Sequence, residues 1–221
     1  AEARRIFERM SSYATFRIAE TIRVLLFMTG SILVFNFYPV TAIMIVLLAM
    51  LNDLPIMMIA FDNAPTSEKP VRWNMARVLT VASALGVTGL VASFLLFWYA
   101  DRVLHIDREV IQTIIFLKLL VAGHLTLYVT RSQHWFWSRP WPSWKMFMVL
   151  ETTQVIGTLF AVYGIFVTPI GWTYALCIWA YALAWLPISS AIAIAVRKLF
   201  DEEQGYHARH LARVEGHLSK A

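Results

Sequence analysis

Charge is scarce in this sequence. Asp, Glu, Lys and Arg make up 15% of its 221 residues, against about 25% in an average soluble domain. Cysteine is scarcer still. Cys177 stands alone, which excludes an internal disulfide framework and any multi-cysteine zinc or iron–sulfur site. No Gly-rich loop ending in Lys-Ser or Lys-Thr occurs, so the chain lacks a P-loop cradle for nucleotide phosphates. No internal repeat, heptad array or low-complexity tract stands out. No cleavable signal peptide opens the chain. It begins at Ala1 with a charged segment, and we expect a piece of a longer protein. What fills the sequence is apolar: 59% hydrophobic and 14% aromatic, with a mean hydropathy of +0.61. That composition excludes disorder. A surface this poor in charge calls for lipid as its solvent.

The net charge of +5 invites a nucleic-acid reading. The basic residues argue against it, because they sit in short segments between apolar runs. Val24 to Asn52, Val78 to Ala100 and Thr152 to Val196 contain no Asp, Glu, Lys or Arg. A spanning helix needs about 20 mostly apolar residues. Asn36-Phe37-Tyr38-Pro39 divides the first apolar run, and Thr168-Pro169-Ile170-Gly171 divides the last. The expectation is an all-α bundle of six transmembrane helices, near 16–37, 40–61, 76–99, 110–130, 144–167 and 172–196. Residues 1–15 then form a stalk segment, 16–196 the membrane domain, and 197–221 a short basic tail. If both ends face the cytoplasm, fifteen Lys and Arg lie on that side (Lys69, Arg72 and Lys220 among them). Only Arg102 and Arg108 lie opposite, the bias expected of an even number of spans with both termini inside. The four tryptophans between His134 and Trp144 read as an interfacial aromatic belt.

Ionisable residues inside a span cost about 2.5–3.5 kcal/mol on insertion scales and are often functional. Asp53 lies in Leu51-Asn52-Asp53-Leu54-Pro55. Pro55 has no amide hydrogen, so the Leu51 carbonyl loses its helical donor. A break in the second helix near Asp53–Pro55 is expected, and a freed carbonyl beside a carboxylate suits a cation or a proton. Helical rise puts Arg23 about 9 Å and Asp53 about 12 Å below the same membrane face, so the two are expected to meet. A permanently charged arginine that moved would switch Asp53 between proton acceptor and donor. The bland alternative has Arg23 snorkel to the headgroups or pair with Glu20, one turn below it. Asn52 either orients Asp53 or bonds across helices. Lys118 and Glu151 are expected to form a structural ion pair between neighbouring helices, and His124 to be a packing histidine. Gly86, Gly89, Gly123 and Gly157 are expected to let helices approach closely. No metal site is expected. His207, His210 and His217 on the tail lack a fixed set of partners.

Several stretches carry a family likeness. They are Arg5-Ile6-Phe7-Glu8-Arg9-Met10 with Tyr13, Thr21-Ile22-Arg23, and Leu51-Asn52-Asp53 with Ile56-Met57. Tyr128-Val129-Thr130-Arg131-Ser132 with Trp135 and Arg139-Pro140 is another, and Ala161-Val162-Tyr163 with Gly171-Trp172 extends the match. Together they resemble the C-terminal membrane half, helices five to ten, of the proton-pumping P-type ATPases of the plasma membrane. The resemblance implies that Asp53 binds and releases the transported proton. It implies that Arg23 is the counter-charge that expels it, with Asn52 beside the acceptor. Leu54 and Pro55 stand where that family has Gly after the Asp. The family's phosphorylated DKTG motif is missing from this sequence. Its nucleotide-binding and actuator domains and first four membrane helices have no counterpart here. The resemblance therefore implies no catalytic residue and no cofactor in this chain, with Mg-ATP bound by the parent protein. The implied partners are the proton, the plasma-membrane bilayer and the missing N-terminal part of the pump, with no nucleic acid. Two other readings stay open. One is a P-type ATPase for Mg²⁺ or Ca²⁺, which would want several oxygen ligands. The other is a free-standing six-helix membrane protein without enzymatic activity.

Overall fold

A computed structural model describes residues 2–64 and 74–218, the latter as backbone only from 201, with the Arg4 side chain likewise undescribed. Lys69, Arg72 and Lys220, counted above in the charge bias, lie outside the described residues, as do the side chains of His207, His210 and His217. All regular structure among the described residues is helical. The helices are α1 (Glu2–Phe35), α2 (Ala42–Met58), α3 (Met75–Trp98), α4 (Arg108–Arg131), α5 (Trp144–Tyr163) and α6 (Gly171–Leu218). Six of the described helices are long and apolar enough to cross a membrane. α2 to α5 match the expected spans to within a few residues, whereas α1 takes in the expected stalk segment and α6 continues past 196 to Leu218.

Local chemistry sets the helix ends. Thr41 caps α2, its Oγ1 accepting from the Met44 amide at 3.4 Å. Asn74 and Ser143 do the same for α3 and α5, accepting from Arg77 and Met146. Each satisfies an amide that a helix start leaves without a partner. Gly164 closes α5 in the left-handed region at φ 75°. Its amide and that of Ile165 both donate to the Phe160 carbonyl at 3.0 Å, a glycine-terminated C-cap.

The expected break at Asp53–Pro55 is not seen as a gap. α2 runs through Pro55 to Met58 and then tightens into a 3-10 turn over Ile59–Phe61. Pro55 removes one donor, yet hydrogen bonds on either side carry the helix across. The irregularity falls one turn later, where the chain leaves the bundle.

α4 is the central helix. It packs against α1, α2, α3, α5 and α6, and Ile111, Ile115, Phe116, Leu117, Leu120 and Val121 are fully buried. The outer faces of the other helices stay apolar: Leu25, Leu33, Val34, Leu79, Val91 and Leu176 are exposed. In water such a surface would be an aggregation hazard; in hydrocarbon it is the required one. Phe27, Phe35, Phe37, Phe94 and Phe97 close one end of the bundle, with ring centroids 4.9–6.5 Å apart. The start of α1, the ends of α2 and α4, the starts of α3 and α5 and the Arg197 level of α6 meet at the other end. There Ser12 donates to the Thr130 carbonyl, Arg77 to Gln133, and Arg197 to the Ser132 carbonyl.

Candidate functional site

Arg17, Glu20 and Arg23 recur every third residue on α1, so they share one side of the helix. Glu20 stands between the two arginines. Its Oε2 is 3.9 Å from Arg17 Nη1, and its Oε1 is 3.7 Å from Arg23 Nη2. Asn52 on α2 donates from Nδ2 to the same Oε1 at 2.8 Å. Arg23 is buried, with 3% exposure.

Two glycines make room for it. A Cβ at Gly89 of α3 would stand 2.6 Å from Arg23 Cδ, and one at Gly123 of α4 would stand 3.2 Å from Arg23 Nη2. The Gly123 position also faces Glu20 Oε1 at 3.6 Å and Asn52 Oδ1 at 3.9 Å. The close approach expected at these glycines is present, and what approaches is a buried polar group. The cluster is poorly satisfied. Glu20 Oε2, Arg23 Nε and Nη2, and Asn52 Oδ1 are buried without a hydrogen-bond partner.

Asp53 projects elsewhere. It is exposed and lines a groove of about 700 Å³ between α1 and the end of α2, together with Arg9, Tyr13, Arg17 and Met57. Arg23 and Asp53 therefore do not form the expected pair. Consecutive helical residues point about 100° apart; Asn52 takes the inward direction and Asp53 the outward one. Arg17 links the two regions, because it borders the groove and contacts Glu20. Pro55 is buried. The Leu51 carbonyl it deprives of a donor faces the imidazole of His124, without a completed hydrogen bond.

Lys118 and Glu151 are not partners, which corrects the ion pair expected between them. Lys118 Nζ donates to the Gly89 carbonyl at 3.1 Å and to Ser93 Oγ. Glu151 accepts from the Tyr128 hydroxyl at 3.0 Å. The reason is depth. Lys118 lies about 20 Å along α4 from its Arg131 end, whereas Glu151 lies only about 10 Å into α5 from that same side.

The sequence reading missed Asp62. It is 4% exposed and receives Arg131 through two nitrogens, Nε to Oδ2 at 2.9 Å and Nη2 to Oδ1 at 3.4 Å. The Ser143 amide donates to Oδ1 at 3.1 Å, and Arg9 Nε donates to the Asp62 carbonyl at 2.8 Å. Arg131 also reaches the Asn63 carbonyl at 3.3 Å. One residue thus ties together the end of α2, the end of α4 and the start of α5 through its carboxylate, and α1 through its backbone carbonyl. The sequence signal available was an acidic residue closing an apolar run, with nothing to name its partner.

The bundle and its interior charges define a multi-pass α-helical membrane protein with ionisable groups at its centre. No protein-family model matches the chain. Curated relatives do. The "Putative cation-transporting ATPase MJ1226" of Methanocaldococcus jannaschii is 48% identical over 197 residues, covering 89% of this chain and 24% of that protein. Plasma membrane ATPase 1 of Candida albicans is 31% identical over 169 residues, and that of Saccharomyces cerevisiae 30% over 169 residues. Each of these matches covers 73% of this chain and 18% of the relative. The chain belongs to the P-type cation-transporting ATPases, as part of their membrane region. It spans about a quarter of the length of the first of these relatives and less than a fifth of the others.

Proposed function

We propose that this chain is the ion-carrying membrane part of an ATP-driven proton exporter in the plasma membrane, with both ends of the six-helix unit in the cytoplasm. Asp53 is the carboxyl that binds and releases the proton. Arg23 is the fixed positive charge that helps to discharge it and opposes its return. Mg-ATP is bound and hydrolysed by parts of the pump outside this chain. The Asp53 groove faces those parts, and they cover its apolar walls.

The observation that carries this reading is an accessible carboxylate, Asp53, next in sequence to Asn52, which bonds into the buried Arg23–Glu20 cluster of α1. A proton needs a single carboxyl, accessible in one state and neutralised by a cation in another. A divalent cation wants several oxygen ligands, and among the described residues Asp53 is the only carboxylate lining the groove. The relatives named plasma membrane ATPases favour a pump over a free-standing membrane protein. α1 supports long-range coupling: it carries Arg23 in the membrane and continues as one helix to Glu2, so a push on its stalk moves the counter-charge.

The test is ATP-driven acidification of vesicles holding the full-length protein, with Mg²⁺ present only as the ATP complex and no Na⁺ or K⁺. Wild type acidifies the vesicles; Asp53→Asn hydrolyses ATP poorly or without moving protons. Wild-type hydrolysis without acidification assigns the pump another cation.

A further inference from the structure

Glu20 has no part in the reading above beyond holding Arg23. Its surroundings ask for more. A purely structural ion pair in an apolar interior is stable when its hydrogen-bonding capacity is filled, and buried polar atoms are generally satisfied. Here the Arg23–Glu20 contact is 3.7 Å, too long for a hydrogen bond. Glu20 Oε2, Arg23 Nε and Nη2, and Asn52 Oδ1 are left without hydrogen-bond partners, with Arg23 Nη2 and Asn52 Oδ1 facing the bare Cα of Gly123. An arrangement of this kind is under-satisfied in the state seen, and a change of protonation or of side-chain position would alter it at little cost.

We propose that Glu20 is a second proton-binding carboxyl of the transport path, lying inward of Asp53. This rests on the proton reading of the pump. The charges facing Glu20 are Arg17 and Arg23 on its own helix and Asp53 on α2. α2 also presents the neutral donor Asn52. α4 contributes Gly123 and, next to it, the buried His124, while Lys118 acts on the cluster through Arg23. α3 contributes Gly86, Thr88 and Gly89 at this level, none of them charged. Arg17 joins the groove to Glu20, so protons entering beside Asp53 have a short way to the inner carboxyl.

The step balances simply. One proton passes from a hydronium ion in the groove to the Glu20 carboxylate, leaving water and a neutral carboxylic acid. Arg23 then loses its counter-charge. It repels the next cation in the path and is free to turn towards Asp53. Release of the proton restores the Glu20–Arg23 contact. The two carboxyls thus share one arginine, and the occupancy of Glu20 decides which of them it serves.

The experiment measures proton flux and ATP hydrolysis together, across pH, for the full-length ATPase in vesicles, as wild type, Glu20→Gln and Glu20→Asp. Glu20→Gln lowers the protons moved per ATP hydrolysed by roughly twofold or more and flattens the pH profile. Glu20→Asp keeps the coupling ratio with a displaced pH profile. A wild-type ratio and profile in Glu20→Gln overturns the proposal and leaves Glu20 as a holder of Arg23. If Glu20→Gln yields no folded pump, an undisplaced profile in Glu20→Asp overturns it instead. Wild-type hydrolysis without any proton flux is a separate result; it removes the proton reading and this inference with it.

Discussion

Two buried arginine–carboxylate pairs among the described residues are built differently. At one end, Asp62 and Arg131 meet through two hydrogen bonds, and the Ser143 amide and the Asn63 carbonyl fill further positions. In the middle, Arg23 and Glu20 stand 3.7 Å apart with three of their buried nitrogen and oxygen atoms unpartnered. The first pair has the geometry of a permanent clasp, bidentate and satisfied. The second has charge without closure. Both are sheltered from water, so exposure does not explain the difference. What differs is surroundings: helix ends offer free backbone groups, whereas mid-helix backbone is already bonded and offers almost none. A charge placed in mid-bundle finds side chains, glycine gaps and a rare backbone carbonyl such as the one Gly89 gives Lys118.

That contrast is open to breakage at both ends. The largest effect is expected at the clasp. Arg131→Met leaves Asp62 buried without its cation, which costs about 3–5 kcal/mol; thermal unfolding of the full-length protein in detergent should show a large loss of stability. A stability close to wild type would mean that the clasp is not structural. A smaller effect is expected in the middle. Asn52→Ala removes the 2.8 Å bond to Glu20, worth about 1.5–3 kcal/mol for a hydrogen bond to a charged group. Its signature is the reverse of the clasp's: a modest loss of stability, with a fall in protons moved per ATP out of proportion to it. If Asn52→Ala destabilises as strongly as Arg131→Met, the two pairs are alike and the comparison fails.

Much of the fold was legible because membrane spans announce themselves by length and by the absence of charge. Asn36 and Gly171 marked turns, and both adopt positive φ. Less of the site was legible. Sequence pattern picked out Arg23, Asn52, Asp53 and Lys118 as ionisable or polar groups in apolar runs, but not the direction in which each projects. α2 is apolar all round, so no stripe says which face is inward, and one residue of rotation exchanges Asn52 for Asp53 at the cluster. Lys118 and Glu151 were paired on charge alone; counting helical rise from the shared end separates them. Asp62 and Arg131 are 69 residues apart, and nothing local in either segment names the other.

We propose that a proton carried by Asp53 is managed by the positive charge of Arg23. Net acidification per ATP hydrolysed, measured in vesicles for the full-length protein with Arg23→Ala beside wild type, tests it most directly. Expected is continued hydrolysis with acidification that is weak and collapses as the opposing gradient builds, because released protons return to Asp53 unopposed. Acidification by Arg23→Ala at the wild-type ratio, held against the same gradient, would contradict it.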